Sequence, residues 1–504
     1  MAAEVSEMTQ LTTSLGLPAF QHYRATESSQ GVEPSAPVGA TVSIKRSYLV
    51  VGVLCYINLV NSMEWFIIAG ILTDIQRYFG VRDSTTGLLQ TVFIACFLLS
   101  APLFGYLGDR HSRKAIMGAG VVLWSSVALG SSFITEGYYW LFLLARGLVG
   151  VGEASHSTVA PTIIADLFVK DRRSWMLGVF YIFSPVGSGL GYIIGSTMAE
   201  FTGHWQWALR VTPCLAAAGL LLLILSVPDP PRGAAEDHNI QTMARTTWCE
   251  DVKHLLKNRS FVWSSLGVTA MVFVIGALGF WAPEFLSRAR AVHGSVFCTQ
   301  EPCSTSDSLI FGIITVVTGI LGVIIGAEIA RRYRKINPRG DAIISAVGMF
   351  ISSPCLYLAI VLAQQSILAA YVFIALGELF LSFNWAIVTD ILLYVVLPTR
   401  RASAAALQIT VIHLLGDAVS PYLVGAISDV IQDSKGDLDL REFQSLQYSF
   451  MVCPFVGVLG GGAFLMTALY IEEDRKKAKQ RVEGIENKAF VPHEESLQGD
   501  LSRE

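Results

Sequence analysis

Blocks of about 20 apolar residues recur along the whole length of this chain of 504 residues. A helix of about that length is needed to cross the roughly 30 Å hydrocarbon core of a bilayer. Charged residues make up 15% of the chain, whereas soluble domains carry about 25%. The sequence therefore predicts an all-α membrane protein with about twelve transmembrane helices. The predicted spans are 48–70, 85–106, 115–134, 139–164, 174–198, 206–227, 261–287, 308–330, 341–363, 366–396, 401–426 and 447–471.

Lysine and arginine residues concentrate in every second loop, which predicts the orientation of the chain. Cytoplasmic loops of membrane proteins carry an excess of these residues. Basic segments precede the first span, follow each even-numbered span and follow the last one. Both termini are therefore predicted to be cytoplasmic, which requires an even number of spans. We expect a disordered cytoplasmic tail at 1–46, a cytoplasmic linker at 228–260 and a second cytoplasmic tail at 472–504.

Two segments in the same register indicate an internal repeat. The segment from Gly105 to Lys114 reads GYLGDRHSRK, and the segment from Gly326 to Lys335 reads GAEIARRYRK. The glycine, the first arginine and the final Arg-Lys pair coincide. Six spans on each side of a charged linker are typical of transporters built from structural repeats. The sequence thus predicts two pseudo-symmetric six-helix bundles, at 47–227 and 261–471.

Several motifs resemble those of one transporter family. The loop GYLGDRHSRK is similar to the loop motif of the major facilitator superfamily, and SPVGSGLG at 184–191 is similar to its glycine-rich antiporter motif. Further motifs resemble the spinster family of that superfamily: LCYINL at 54–59, RGLVGVGEAS at 146–155, WALRV at 207–211, DSLIFG at 307–312, NWAI at 384–387 and HLLGDAVSPY at 413–422. The resemblance covers about residues 46 to 472. It implies export of sphingolipids or lysophospholipids, with the proton as a candidate coupling ion.

Glu64 interrupts the first apolar span, where a charge costs about 2.5–3.5 kcal/mol on insertion scales. It is a candidate proton-binding group that faces a cavity, and the alternative is a carboxylate that lies near the outer water layer or is held structurally by hydrogen bonds. The family that the chain resembles usually has an Asp-Arg pair here, whereas this chain has Glu64 followed by Trp65. The change removes a guanidinium that could pair bidentately with phosphate. Trp65 offers an aromatic face and one N–H donor instead.

Arg146 and Glu153 lie seven residues apart on the fourth span, so they share a helix face about 10.5 Å apart. Because that distance excludes direct contact, each needs another partner. Arg146 is a candidate headgroup ligand or the partner of Glu64, and the alternative is a structural ion pair. Glu153 is a candidate gate residue or a helix-packing residue. His413 and Asp417 are spaced to contact on one helix face; they either relay a proton or hold the bundles together.

The loop after the second span carries a candidate gate. Asp109 is expected to accept from the N-terminal end of a neighbouring helix. Arg110 and Arg113 are expected to reach acids such as Asp166 on adjacent helices. Together with Gly105 and with Arg331 in the second copy, these residues would favour the outward-facing state; the alternative is that the arginines only set the topology. Ala330 replaces Asp109 in the second copy, which predicts weaker contacts there.

Cys298 and Cys303 share the loop after the seventh span, predicted to lie outside the cell, and form either a short disulfide or two free thiols. The sequence lacks a nucleotide-binding G-x-x-x-x-G-K-[ST] segment, an H-E-x-x-H segment and a clustered Cys/His set. We therefore expect no enzyme activity, no catalytic residue, no metal site and no cofactor. The net charge of −4 argues against a nucleic-acid partner.

These features predict a monomeric multi-pass transporter in the plasma membrane or an endolysosomal membrane. Its partners would be membrane lipids and an amphipathic lipid substrate. Two other functions stay open at this point: a carrier of a small polar organic anion, and a membrane sensor that does not transport.

Overall fold

The computed structural model describes residues 44–168, 170–228, 248–292, 306–397, 400–432 and 438–489. These residues form seventeen α-helices and no strand. The helices of the first half are α1 Ile44–Gly70, α2 Leu72–Phe79, α3 Asp83–Arg110, α4 Arg113–Ser131, α5 Tyr139–Leu167, α6 Lys170–Thr202 and α7 Ala208–Ser226. The remaining helices are α8 Trp248–Lys257, α9 Arg259–Val292, α10 Ser306–Arg334, α11 Gly340–Leu362, α12 Ile367–Ser382, α13 Asn384–Val395, α14 Arg401–Ile412, α15 Ser420–Gln432, α16 Leu438–Phe450 and α17 Val452–Ala489.

Eleven stretches of helix in the described residues are long and apolar enough to cross a membrane. Helix α5 is not among them, although it has 29 residues. Its hydropathy is lowered by Arg146, Glu153 and His156. Because α5 packs between α3 and α4 inside the first bundle, its neighbours shield these groups from lipid. The predicted all-α membrane fold is confirmed.

The helices form two bundles, α1 to α7 and α9 to α17. In the first, α1 packs on α6 and α5 packs on α3 and α4; in the second, α17 packs on α9 and α11. One end of the bundles, here called the basic end, holds the helix ends at 110–114, 331–340 and 395–401. The opposite end, here called the closed end, holds 70–83, 284–292 and 428–432. Buried apolar residues from both bundles form one shared core towards the closed end, including Ile67, Leu89, Trp281 and Phe311.

Glycines of α6 bring it into backbone contact with α1. A Cβ atom on Gly187 would lie 2.5 Å from the carbonyl oxygen of Leu59, and one on Gly191 would lie 2.5 Å from that of Met63. Both separations are too short for a side chain. Small residues therefore allow these membrane helices to approach closely, and the motif at 184–191 has a direct structural role.

Two predicted spans are broken where polar residues interrupt them. The span at 366–396 divides into α12 and α13 at Phe383, and the span at 401–426 contains a π-helical turn, His413–Asp417, between α14 and α15. Such turns occur frequently at functional sites. In addition, α8 lies within the predicted linker, and α17 continues beyond residue 471 to Ala489. Pairs four residues apart, such as Glu472 with Lys476, support this extension of α17.

Candidate functional site

A buried ion pair occupies the interior of the first bundle. Arg146 on α5 donates from Nη1 to Oε1 of Glu64 on α1, at 2.9 Å. The hydroxyl group of Thr212 on α7 donates to the other carboxylate oxygen. Glu64 is 0% and Arg146 2% exposed. Three helices thus hold one charged pair away from lipid, with each charge close to the other.

The guanidinium of Arg146 is shielded as well as paired. Its central carbon lies 4.8 Å above the centroid of the Phe93 ring on α3. Its Nε and Nη2 atoms are buried and have no hydrogen-bond partner among the described residues. Buried polar groups without partners are uncommon in native proteins. Two donors of this guanidinium are therefore available to water or to another ligand after a rearrangement.

Glu153 is fully buried about two turns further along α5 than Arg146. Neither of its carboxylate oxygens has a well-formed hydrogen bond within the described part of the chain. The group interacts electrostatically with Glu64 and Arg146 and lies near the indole N–H of Trp65. Two buried carboxyl groups therefore share one arginine, an arrangement that disfavours both being ionised together.

Trp65 connects this centre to the second bundle. Its ring centroid lies 4.9 Å from that of Phe93 and 5.4 Å from that of Phe97, both in edge-to-face geometry. On its other side lies His413 of the π-helical turn, with ring centroids 6.4 Å apart. His413 Nδ1 lies 2.9 Å from a carboxylate oxygen of Asp417. The Trp65–His413 contact thus connects the four candidate residues of the first bundle, Glu64, Trp65, Arg146 and Glu153, with the two of the second bundle, His413 and Asp417.

A polar network joins the bundles at the closed end. Arg288 at the end of α9 donates to both carboxylate oxygens of Asp83 at the start of α3, at 2.6 and 2.9 Å. Ser428 and Gln432 of α15 donate to the same carboxylate, and Gln76 donates to it from the first bundle. Both charged groups are buried. The ion pair is bidentate, which makes it directional as well as strong.

Asp429 of α15 caps α3 from across the interface. Its two carboxylate oxygens accept from the backbone N–H groups of Asp83 and Ser84, each at 3.1 Å. Arg82, the residue that precedes α3, supplies no side-chain cap. The first N–H groups of a helix need acceptors and favour negative charge. An acid of the second bundle therefore stabilises the start of a helix in the first.

At the basic end, Arg113 forms an ion pair with Asp166 inside the first bundle. The guanidinium of Arg110 lies 4.4 Å from the ring centroid of Tyr106. Around Gly105 there is open space. The side chain of Asp109 lies outside the described part of the structure.

In the second copy of the motif, Arg331 pairs with Glu328 of its own helix. Arg334, which corresponds in register to Arg113, pairs with Asp341 and Asp390. The repeat in register was the signal that could have identified Arg334 from the sequence, whereas Asp390 lies outside the repeated segment. By contrast, Asp83, Arg288 and Asp429 lie at helix ends where a loop charge is also common, so their pairing gave no sequence signal.

Cys298 and Cys303 lie outside the described residues, and the choice between a disulfide and two thiols stays open. Among the described residues, no group of three or more His, Cys, Asp or Glu side chains is arranged to hold a metal ion.

Two helical bundles around a buried charged centre define a multi-pass membrane transporter of the major facilitator class. The model of the Major Facilitator Superfamily matches residues 54–411. Similarity to individual proteins narrows the superfamily to one family. The chain is 58% identical to protein spinster homolog 3 of Mus musculus, over 95% of this chain and 94% of that protein. It is 60% identical to the Homo sapiens protein of that name, over 90% and 89%. Protein spinster homolog 1 of Rattus norvegicus is 56% identical over 87% and 84%.

The chain therefore belongs to the spinster family of the major facilitator superfamily, as its motifs predicted. Solved structures agree on the fold. A bacterial homolog of the human lysosomal transporter Spinster, in an inward-facing and unoccupied conformation, has a TM-score of 0.75 at 20% identity and covers 86% of this chain and 99% of its own. A mutant of the nucleoside transporter NupG has a TM-score of 0.63 at 13% identity, over 83% and 99%.

Proposed function

We propose that the protein exports a sphingolipid or lysophospholipid by alternating access. The observation that carries the proposal is the buried centre of Glu64, Arg146 and Trp65, which meets His413 of the second bundle. A charged centre that borders the interface of two bundles is accessible from one side at a time when the bundles rock. The polar network of Asp83, Arg288 and Asp429 supports the assignment of this structure to a state shut at the closed end.

In the proposed cycle the lipid enters from the basic end and places its headgroup near Trp65. Its single acyl chain lies along apolar side chains between the helices. Release at the other side requires the Arg288–Asp83 pair and the Asp429 contacts to break. New contacts between the bundles at the basic end would then hold the alternate state, because the Arg113–Asp166 pair lies within the first bundle and is already present. The residues at both ends thus act as gates for the centre.

Proton coupling is the second part of the proposal. Glu64 and Glu153 are both fully buried and share Arg146. Uptake of a proton by either carboxyl group changes the charge of the centre by one unit. That change shifts the balance between two conformations only if they differ in their affinity for the proton. Exposure of the centre to one side at a time would supply such a difference.

We also propose that both termini are cytoplasmic, that the protein is a monomer and that it resides in the plasma membrane or an endolysosomal membrane. The cytoplasmic position of both termini follows from the basic residues at one end of the bundles. The proposed location in the plasma membrane or an endolysosomal membrane is in keeping with the description of the related bacterial protein as a homolog of a lysosomal transporter. The absence of enzyme activity and of a cofactor stays a prediction.

Efflux from cells tests the function. Wild type, Glu64→Gln and the control Glu136→Gln, in an exposed turn at the closed end, are expressed at equal surface levels. Cells are loaded with labelled sphingosine 1-phosphate or lysophosphatidylcholine. We expect release of at least one lipid by wild type and control, and loss of release with Glu64→Gln. Absence of release of both lipids by surface-expressed wild type would reject lipid export and favour the polar-anion carrier or the sensor.

A pH step across proteoliposomes tests the proton coupling. If the step leaves the flux of lipid unchanged, the proposed coupling is rejected.

A further inference from the structure

Helix α8, between the two bundles, has two different faces. It packs on α9 and α14, and its Leu255 belongs to the same buried apolar cluster as Phe261. Lys253, Leu256 and Lys257 are exposed, Leu256 to 63%. Residues three and four apart lie on one side of a helix. The side of α8 that faces away from the protein therefore presents an aliphatic residue between two lysines.

The turn between α10 and α11 shows the same combination of residues. Ile336 is 80% exposed. It follows Lys335 directly, and Arg339 ends the turn before α11; both basic residues are exposed. Arg332, in the last turn of α10, has a side chain that is 79% exposed. Two separate elements at the basic end thus expose an aliphatic side chain among basic ones.

Both elements lie just beyond the predicted edge of the hydrocarbon core. Lys257 precedes the span predicted at 261–287 by four residues, which is about 6 Å along a helix. Ile336 follows the span predicted at 308–330 by six residues, the first four of them still in α10. The headgroup layer on each side of a bilayer is roughly 5–8 Å thick. Leu256 and Ile336 are therefore at about the depth of the lipid headgroups.

The charge at this surface is positive. The segment 328–341 has five basic residues and two acidic ones, Glu328 and Asp341. Arg331 and Arg332 both pair with Glu328, so one carboxylate serves two guanidinium groups. The lysines of the two elements form no ion pair with a described side chain: Lys253, Lys257 and Lys335. Positive charge thus remains available for anionic groups outside the protein.

We propose that α8 and the α10–α11 turn bind the anionic phospholipid surface of the leaflet at the basic end. Leu256 and Ile336 insert among the headgroups, and the basic residues around them pair with lipid phosphate and carboxylate groups. This combination is typical of helices that lie in the interface of a membrane. Because the basic residues are spread over two elements, they fit a surface of monoanionic lipids better than one polyvalent headgroup. The contact would hold the segment between the bundles at the membrane.

The test measures how α8 and the turn respond to lipid charge. An environment-sensitive fluorescent amino acid replaces Leu256 or Ile336 in the full-length protein. The protein is placed in nanodiscs of phosphatidylcholine alone or mixed with phosphatidylserine. We expect emission from both positions to shift to the blue with phosphatidylserine, because the probe leaves water, and the shift to decrease at high salt, because salt screens exposed charges.

Charge variants identify the residues responsible. Lys253→Gln with Lys257→Gln should lower the ratio of membrane-bound to unbound α8 about 5-fold per lysine, and so about 30-fold for both. Glu250→Gln, in the first turn of α8, should raise the ratio. Lys476→Gln with Lys477→Gln is the matched control. It removes the same charge at the same end, but these lysines pair with Glu472 and Glu473 of their own helix, so the ratio should change far less.

Three results would overturn the inference. Equal emission with and without phosphatidylserine would show that the leaflet's charge is not recognised. A blue shift that persists in the Lys253 and Lys257 variant would assign the contact to apolar insertion alone. A much stronger response to a phosphoinositide at equal total lipid charge would indicate a site for a single polyvalent headgroup. None of these readouts requires transport, and both leaflets of a nanodisc carry the same lipids. The inference can therefore fail while lipid export and the assigned orientation stand, and the reverse also holds.

Discussion

Arg146 is the residue on which the charged centre depends. It forms an ion pair with Glu64, and both groups are buried. Removal of one member of a buried pair leaves an unpaired charge and typically costs about 3–5 kcal/mol, whereas replacing both is often far less harmful. The energetic role of the pair is therefore separable from its role in transport.

Arg146→Met should lower the free energy of unfolding by about 3–5 kcal/mol because Glu64 is left without its cation. The double variant Glu64→Gln with Arg146→Met should recover a large part of that loss and still not transport. Thermal unfolding in nanodiscs, combined in a double-mutant cycle, measures the coupling. Equal destabilisation by the single and double variants would show that the pair contributes little to stability.

At this scale the sequence predicts pairs on one helix better than pairs across the molecule. The spacing of His413 and Asp417 predicted their contact, and the separation of Arg146 from Glu153 excluded theirs. Arg288 and Asp83 are 205 positions apart, and no periodicity links them. The contacts of Phe93 and Phe97 with Trp65 could not be predicted either, because aromatic residues in an apolar span usually face lipid or pack against other helices.

Among the helices, α3 and α15 are coupled by an unusual cap. Asp429 belongs to one bundle and accepts from the first N–H groups of a helix in the other. A cap of this kind is worth about 0.5–2 kcal/mol. When the closed end opens, α3 loses that acceptor, so the cap stabilises one conformation selectively.

Asp429→Ala should therefore shift the population away from the closed conformation by about 2- to 30-fold. Spin labels on Tyr138 and Val430, both exposed near the closed end, would report the change as longer distances in pulsed electron resonance. Ser84→Ala is the comparison: it removes only the hydroxyl group that also donates to Asp429 and leaves the two backbone N–H contacts in place, so it should shift the population less. An unaltered distance distribution in Asp429→Ala would reject the cap as a conformational determinant.

A steric change at the same interface should have a larger effect. A Cβ atom on Gly425 of α15 would lie 2.4 Å from the carbonyl oxygen of Asp83. Gly425→Ala should thus force the closed end apart and lengthen the same label distances. Gly52→Ala, where a Cβ atom meets open space, is the matched control. Closed-state distances in a folded Gly425→Ala protein would show that the interface accommodates the methyl group elsewhere.

The elements themselves were predictable from hydropathy because lipid imposes one requirement on every spanning helix. Helix α5 departs from the hydropathy pattern because its polar residues face the bundle. The breaks at Phe383 and at His413–Asp417 fall in the two spans interrupted by polar residues. Their geometry follows from tertiary contacts, such as Gly416 against Val272 of α9, which the sequence does not encode locally.

The whole molecule has two bundles whose basic residues lie at one end. That asymmetry predicts the orientation of the chain in the membrane, and an N-glycosylation sequon in the native sequence tests this orientation. Asn258-Arg-Ser260 lies at the basic end, where Asn258 donates to the carbonyl oxygen of Val395. We expect no glycan there in mammalian cells, and glycosylation of a Pro302→Asn variant, which creates a sequon between α9 and α10. Glycosidase digestion and gel mobility measure both, and a glycan on Asn258 would reverse the assigned orientation.

The pairing of Arg146 with Glu64 also has an electrical consequence. A membrane potential of 100 mV acts on each unit charge with about 2.3 kcal/mol. A positive and a negative charge 2.9 Å apart experience almost the same potential, so the forces on them nearly cancel. The pair would contribute little displacement current when the unloaded bundles rock. Voltage steps on lipid-free proteoliposomes should therefore evoke smaller transients than in Glu64→Gln, where the arginine would respond to the field alone.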